Sequence, residues 1–182
     1  MKITSGDYKY RNLEVPKNIR PTTEKVREAI FSMIRPWIPG AVVVDLFAGS
    51  GALGLEALSR GADKCYFNEV NRQNFKVLMG NVNNCQAVDK AVLSNKDFQS
   101  CLATIRDKVD VVIMDPPYAE LEYYDIAFDL LQEYDLLEDG SIVVAEHLYD
   151  NKLSETYGNL HKIKEKKYGS IGVDVFVLEL TA

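Results

Sequence analysis

The stretch AVVVDLFAGSGALGLEALSRG, residues Ala41 to Gly61, decides the fold. Its first four residues are apolar and mostly β-branched, which predicts a fully buried strand that ends at Asp45. The following turn has the spacing GxGxxG at Gly49, Gly51 and Gly54, and the chain then continues as a helix. Such glycines allow a tight turn and close approach of a ligand, while the helix N-terminus offers unpaired N–H groups. The stretch therefore predicts a nucleotide-binding loop.

Two acidic residues indicate which nucleotide this loop binds. In dinucleotide-binding enzymes the first glycine follows the strand almost at once, whereas Asp45 to Ala48 intervene here. A carboxylate beside the turn disfavours a pyrophosphate and suits a ligand with a cationic end, such as the methionine ammonium of S-adenosylmethionine (SAM). Glu69 lies about twenty residues beyond the glycines, where a ribose-binding carboxylate belongs in both cofactor classes. We therefore predict SAM, with a dinucleotide or an empty structural turn as alternatives.

The second decisive motif is Asp115-Pro116-Pro117-Tyr118, which follows the apolar run Val109 to Met114. An exocyclic aromatic amine is a poor nucleophile because its lone pair is delocalised into the ring. Asp115 and the Pro116 carbonyl can each accept a hydrogen bond from such an amine, which orients it and stabilises developing positive charge. Pro117 stiffens the loop, and Tyr118 offers a ring on which a flipped-out base can stack. The motif predicts methyl transfer to a base; a rigid turn with a packed tyrosine is the alternative.

The rest of the chain alternates strands with helices. Strands are predicted near residues 65–67, 87–93, 109–114 and 141–146, and helices over 71–83, from 95 onward and over 121–134. Residues 163–168 and 173–180 predict an antiparallel strand pair around Gly169-Ser170. This order predicts an α/β, Rossmann-like fold with a mostly parallel sheet, helices on both faces and ligands at the carboxyl ends of the strands. The carboxylates expected along that edge are Asp45, Glu69, Asp97, Asp115 and Glu146.

Asp97 and Phe98 follow the third predicted strand. At that position Asp97 can accept a hydrogen bond from the exocyclic amine of an adenine, and Phe98 can pack nearby. The same spacing fits an N-cap for the next helix equally well. Both roles for Asp97 remain open at this stage.

Residues 1–36 predict a short hairpin and an amphipathic helix that precede a methyltransferase domain at residues 37–182. Residues 1–35 contain eight basic and four acidic side chains, although the formal net charge of the whole chain is −6. A basic segment on an acidic body suggests that a polyanion docks at one site, with a merely solvated extension as the alternative. Together with Tyr118, the predicted substrate contacts are Lys9, Arg11, Arg20, Thr22 and Arg27.

Composition excludes several other classes of protein. The net charge of −6 argues against a general nucleic-acid binder, because non-specific affinity depends on phosphate neutralisation. The three cysteines form no CxxC pair, and no cluster has metal-ligand spacing, so we expect neither a disulfide framework nor a metal. No run of about eighteen apolar residues exists, and the N-terminus lacks the apolar core of a signal peptide. We expect a cytoplasmic monomer without membrane contact.

On these motifs the chain resembles the RsmD-type family of bacterial methyltransferases. The matching stretches are residues 1–16, MKITSGDYKYRNLEVP, residues 20–34, RPTTEKVREAIFSMI, residues 42–62, VVVDLFAGSGALGLEALSRGA, and DPPY. The resemblance implies a seven-stranded class I methyltransferase sheet and methylation of the exocyclic N2 of one guanine in small-subunit 16S ribosomal RNA. It places the guanine at Asp115 to Tyr118. The positions it implies for SAM are Asp45, Phe47, Gly49, Ser50, Gly51, Glu69, Asp97 and Phe98.

Two departures from the family pattern affect edges that we expect to face RNA. Tyr10 stands where family members often have glycine, and Gly169-Ser170-Ile171 replaces a more usual Gly-Asp-Thr. Two other functions stay open. DPPY is equally typical of adenine-N6 DNA methyltransferases, although no segment here is large enough for a DNA target-recognition domain. A SAM-binding RNA-assembly factor without catalysis is the other alternative.

Overall fold

The structure is a computed structural model that describes residues 1–180 of the 182-residue chain. Within those residues one sheet has eight strands in the order β3-β2-β1-β4-β5-β8-β7-β6. The first five strands in the chain run parallel, and the last three add antiparallel to one side. The strands are β1 Val42–Asp45, β2 Lys64–Asn68, β3 Ala91–Ser94, β4 Val109–Met114, β5 Leu137–Leu148, β6 Thr156–Tyr157, β7 Leu160–Tyr168 and β8 Ile171–Leu178.

Helices cover both faces of the sheet, as predicted. In the described residues they are α1 Glu24–Met33, α2 Ala52–Ser59, α3 Arg72–Asn84, α4 Phe98–Thr104 and α5 Glu122–Glu133. Apolar residues of α1, α2 and α3 form one buried cluster with one face of the sheet, and those of α4 and α5 form a second cluster on the other face. The Rossmann-like fold is therefore confirmed. No helix within residues 1–180 has the length and apolar character needed to cross a membrane.

The predicted strand count and some bounds are corrected. The extra strand, β6, has only two residues, too few for an alternating pattern to reveal, and pairs with the start of β7. β3 begins only at Ala91, because Val88–Lys90 form a short 3-10 turn. β5 begins at Leu137 rather than Ser141, since a bulge lets Val109 pair with Leu137 before the regular register resumes.

The N-terminal segment packs into the same core as the central sheet. Ile3 and Leu13 join the buried cluster formed by α1 and α2. The predicted hairpin is a loop with one isolated bridge between Lys2 and Asn12 rather than a pair of regular strands. The Ile3 N–H donates to the Arg11 carbonyl at 3.1 Å, and the Tyr10 N–H donates to the Ile3 carbonyl at 2.9 Å.

The backbone conformation at Tyr10 explains why a glycine suits this position. Its φ is +70°, in the left-handed region that costs an L-residue about 1 kcal/mol or more, and its side chain is largely exposed. We expect Tyr10→Gly to raise the free energy of unfolding by about 1 kcal/mol, because glycine relieves this strain. Tyr10→Ala is the matched control, since it removes the ring and keeps the strain. Urea denaturation of both variants tests this, and equal midpoints for glycine and alanine would contradict the explanation.

A buried ion pair attaches the N-terminal segment to α2. The side chains of Arg27 and Glu56 are both fully buried, with Arg27 Nε 3.5 Å from Glu56 Oε1. Glu56 also accepts hydrogen bonds from the backbone N–H groups of Thr4 and Ser5, at 3.0 and 3.2 Å. Arg60 Nε donates to the second oxygen at 2.9 Å. Glu56 therefore accepts hydrogen bonds from the N-terminal loop and lies against the charge of the buried guanidinium, and Arg27 is a structural residue.

Candidate active site

A cavity lies at the carboxyl ends of β1 and β4, where the order of the parallel strands reverses. This is the position at which open α/β sheets bind ligands. The cavity measures about 510 Å³, within the range of about 300–1,000 Å³ typical of small-molecule sites. Its walls include residues 18–22 of the N-terminal segment, 46–50 of the glycine loop, 68–71 at the end of β2, Asp97 and Phe98, and 115–118 of DPPY.

The glycine loop has the backbone geometry that the sequence predicts. Gly49 and Gly51 have φ values of +55° and +84°, in the left-handed region that favours glycine. A side chain on Gly54 would place its Cβ 2.3 Å from Phe67 Cε1, so this glycine allows α2 to lie directly against β2. Gly49 and Ser50 line the cavity, and α2 begins at the next turn. The loop therefore presents its backbone and the start of α2 to a ligand.

Asp45 lies behind the loop rather than on the cavity wall. Its side chain is 1% exposed, and its Oδ2 accepts a hydrogen bond from the Gly54 N–H at 3.0 Å. Burial raises the pKa of Asp45 to about 7, the charge of Glu69 adds to this rise, and the Gly54 bond opposes it. The structure thus gives Asp45 the role of holding the first turn of α2, and does not bring it into direct reach of a ligand ammonium.

This buried carboxyl has a consequence for stability against pH. A pKa raised in the folded state means that folding favours the protonated form, so the stabilisation is complete below pH 4 and is lost as pH rises through 7. We expect the unfolding free energy of the wild type, relative to Asp45→Asn, to fall by on the order of 2 to 4 kcal/mol between pH 4 and pH 8. Denaturant titrations of both proteins across this range test it. A constant difference would mean that folding does not raise the pKa of Asp45.

Glu69 links the glycine loop to the residues that follow β2. Its Oε1 accepts from the Gly49 N–H at 3.0 Å, and its Oε2 accepts from the Asn71 N–H at 2.8 Å. The Asn95 side chain supports this turn by donating to the Glu69 carbonyl at 2.7 Å. Each carboxylate oxygen has a further lone pair, and the residue lines the cavity. Glu69 is therefore placed to accept hydrogen bonds from ribose hydroxyls.

An aromatic cluster forms the opposite wall. Phe98 packs with Phe47 and Tyr123 at ring-centroid distances of 5.2 and 4.7 Å. Asp97 caps α4 by accepting from the Ser100 N–H at 2.8 Å, and these bonds to Ser100 lower its pKa. Asp97 both caps the helix and lines the cavity, so the two roles considered from sequence are compatible. Tyr123 was missed in the sequence analysis because only tertiary packing brings α5 to this wall.

Two carboxyl groups lie close together at the DPPY end of the cavity, with Asp115 on its wall and Glu146 behind it. Tyr118 Oη donates to Glu146 Oε2 at 3.2 Å, and the Asp115 carboxyl lies within hydrogen-bonding reach of Glu146. Burial, followed by the charges of Glu146 and Asp45, holds the pKa of Asp115 well above its usual range. Burial also raises the pKa of Tyr118, so its hydroxyl stays protonated. In the sequence Glu146 was recognisable only as a carboxylate at a strand end.

The predicted substrate-binding residues separate into three groups. Arg20 and Thr22 line the cavity. Lys9 and Arg11 do not: Arg11 donates to the Asn84 carbonyl at 2.9 Å, near the end of α3, and the Lys9 ammonium lies 4.9 Å from the Tyr10 ring centroid. The prediction that Arg27 contacts RNA is wrong, because its side chain is fully buried against Glu56. Its place on the polar face of α1 suggested exposure, but the N-terminal loop covers Arg27, whereas Glu24, Lys25 and Glu28 on the same face stay exposed.

No group of three or more His, Cys, Asp or Glu side chains within residues 1–180 is arranged to hold a metal ion. A Rossmann-like sheet with a glycine-rich loop after β1 and DPPY after β4 defines a class I methyltransferase fold. The chain belongs to the family described as Conserved hypothetical protein 95, whose model matches residues 1–177.

The relatives of this chain agree with the resemblance to RsmD-type enzymes. Ribosomal RNA small subunit methyltransferase D of Escherichia coli K12 is 33% identical over 181 residues, covering 98% of this chain and 90% of that protein. YlbH of Bacillus subtilis is 35% identical over 181 residues, covering 97% and 98%. The solved structure of yhhF from Escherichia coli matches with a TM-score of 0.90 and 31% identity, over 100% of this chain and 99% of that one. The predicted RsmD-type family is therefore confirmed.

Proposed function

We propose that this protein is a SAM-dependent ribosomal RNA methyltransferase, and that it methylates the exocyclic N2 amine of one guanine in small-subunit 16S ribosomal RNA. The observation that carries the proposal is the placement of DPPY at the end of β4, directly beside the glycine loop at the end of β1. A cofactor held by the loop and a base held by DPPY meet in one cavity. The names of the relatives support the substrate class.

The residues on the cavity wall fit SAM. Glu69 is placed for the ribose hydroxyls, and Phe98 with Asp97 for the adenine. The loop from Phe47 to Ser50 offers its backbone to the methionine part. Bound SAM supplies an electrophilic methyl group attached to a positively charged sulfur. This charge suits an end of the cavity that contains the Asp115 carboxyl and, behind it, Glu146.

The DPPY loop performs the part of the reaction that concerns the base. Asp115 and the Pro116 carbonyl each accept a hydrogen bond from the N2 amine, which fixes its direction and favours the tetrahedral nitrogen of the transition state. The base stacks on the ring of Tyr118, an interaction that contributes about 1–3 kcal/mol. With SAM bound, the lone pair of N2 would form the N–C bond as the methyl–sulfur bond breaks, which would leave a neutral thioether and a positively charged N2 that then loses one of its protons. An ionised Asp115 is placed to take that proton.

Transfer of labelled methyl from SAM to three acceptors tests the proposal. The acceptors are small ribosomal subunits lacking the modification, naked 16S RNA and duplex DNA, each digested to nucleosides after reaction. We expect label in N2-methylguanosine, with subunits the better acceptor, because a net charge of −6 allows few phosphate contacts with naked RNA. Label in N6-methyladenine from DNA would replace the proposal by the adenine-N6 alternative. Tight SAM binding without label in any acceptor would indicate a binding protein.

A further inference from the structure

Glu146 is a buried carboxylate at which three parts of the chain meet. It lies on β5, is 5% exposed, and does not itself line the cavity. Thr22 Oγ1, in the N-terminal segment, donates to its two oxygens at 3.3 and 3.4 Å. Tyr118 Oη, in the DPPY loop, donates at 3.2 Å, and Tyr124 Oη of α5 donates to its backbone carbonyl at 2.7 Å. One side chain therefore connects the N-terminal segment to the DPPY loop, and both of these line the cavity.

The register of the sheet brings Glu146 against Asp115. Met114 of β4 pairs with Ala145 of β5, so the next residue on each parallel strand is Asp115 and Glu146, side by side. Buried carboxylates are ordinarily paired with a cation. The ion pairs found within residues 1–180 include neither of these two residues. Two adjacent carboxyl groups without a cation destabilise the folded protein. Such a pair is expected in a site that stabilises a positively charged reaction centre.

We propose that Glu146 is a positioning residue for methyl transfer. Its carboxyl group orders Thr22, Tyr118 and Asp115 in one arrangement around the target amine, although it touches neither the base nor the cofactor. The inference rests on the proposed function, in which Asp115 receives that amine. It adds a residue of β5 to a site otherwise built from the ends of β1, β2, β3 and β4 and from the N-terminal segment.

The arrangement also determines when Asp115 is ionised. The titratable groups that face Asp115 are Glu146 on β5, Asp45 on β1, Tyr118 in its own loop and Tyr124 on α5. Burial is the first cause of its raised pKa, and Glu146 is the second. Because only the ionised form of Asp115 accepts fully from the amine, the rate rises with pH through this pKa. Removing the charge of Glu146 lowers that pKa and moves the rise to lower pH.

The test compares Glu146→Gln with wild type on the ribosomal RNA acceptor at saturating SAM, from pH 5 to pH 9. Glutamine has nearly the same shape and keeps one acceptor oxygen, yet it removes the negative charge and replaces the other oxygen by an NH2 donor, so Thr22 and Tyr118 share one acceptor instead of two. We expect kcat at the optimum to fall by about 10- to 100-fold, as misplaced reacting groups do. The midpoint of the acid limb should move to lower pH. SAM affinity measured without RNA should change less than about twofold, since Glu146 does not line the cavity.

Glu133→Gln is the matched control, because Glu133 is an exposed glutamate at the end of α5, and it should behave as wild type. A wild-type kcat and pH profile in Glu146→Gln would overturn the proposal. So would a uniform loss at every pH with an unmoved midpoint, which is what a purely structural role produces. Titration of the Asp115 carboxyl by carbon-13 NMR in the free proteins gives a second readout, and an equal pKa in both would also overturn it.

The failure of the proposed function has a different signature. If wild type methylates a base other than guanine, the guanine assignment is wrong. The test of Glu146 still stands, because Glu146→Gln can be compared with wild type on that acceptor, and the NMR titration does not depend on the acceptor. If wild type methylates nothing, the shift in the Asp115 pKa alone decides whether Glu146 controls this carboxyl.

Discussion

Asp115→Ala is expected to reduce methyl transfer by roughly 100- to 1,000-fold, the usual effect of removing one group that stabilises transition-state charge. The alanine leaves the target amine with the Pro116 carbonyl as its remaining acceptor at this turn, and removes the group placed to take its proton. Single-turnover transfer from SAM to the RNA acceptor measures the loss.

The same variant is expected to be no less stable than wild type. Burial and the neighbouring carboxyl of Glu146 raise the pKa of Asp115, so the ionised group opposes folding at neutral and alkaline pH. Alanine removes that opposition, and the unfolding free energy at pH 8 should stay equal or rise. Asp115→Asn is the control that keeps an acceptor oxygen at the same place, and we expect a smaller loss of rate. Full activity in the alanine variant would remove Asp115 from the mechanism.

Glu56→Ala is expected to lower the free energy of unfolding by about 3–5 kcal/mol, the cost of leaving one member of a buried ion pair unpaired. Arg27 would remain fully buried without its carboxylate, and burial already lowers its pKa. The backbone N–H groups of Thr4 and Ser5 would lose their acceptor as well. Urea denaturation followed by circular dichroism measures this loss.

The double variant Arg27→Met with Glu56→Gln is the control for that prediction. Methionine removes the buried charge, and glutamine keeps an acceptor oxygen for the N-terminal loop, so we expect recovery of more than half of the lost stability. A loss equal to that of Glu56→Ala would show that the unpaired guanidinium is not the source of the lost stability. Because residues 18–22 line the cavity, Glu56→Ala should also weaken SAM binding.

Much of the site was predictable because its motifs are local. An apolar β-branched run followed by GxGxxG specifies a strand, a turn and a helix within about twenty residues. The strand before DPPY has the predicted bounds, Val109–Met114, for the same reason. Once strands and helices alternate, right-handed crossovers bring the ends of the parallel strands to one edge. That edge contains Glu69, Asp97 and Asp115 on a single cavity, as the sequence predicted.

The sequence by itself determined the Rossmann-like class, the cofactor loop and the DPPY site, because each depends on the conformations of consecutive residues. Only the tertiary structure decided which polar groups are buried and what they contact. Arg27 looks exposed on a helical wheel, but the N-terminal loop buries it. Asp45 was expected to bind the ammonium of the ligand, but it lies behind the glycine loop. Thr22 and Glu146 are 124 residues apart and share a hydrogen bond. The charge state of a carboxyl depends on neighbours that are distant in sequence and close in space, and no local sequence pattern predicts such neighbours.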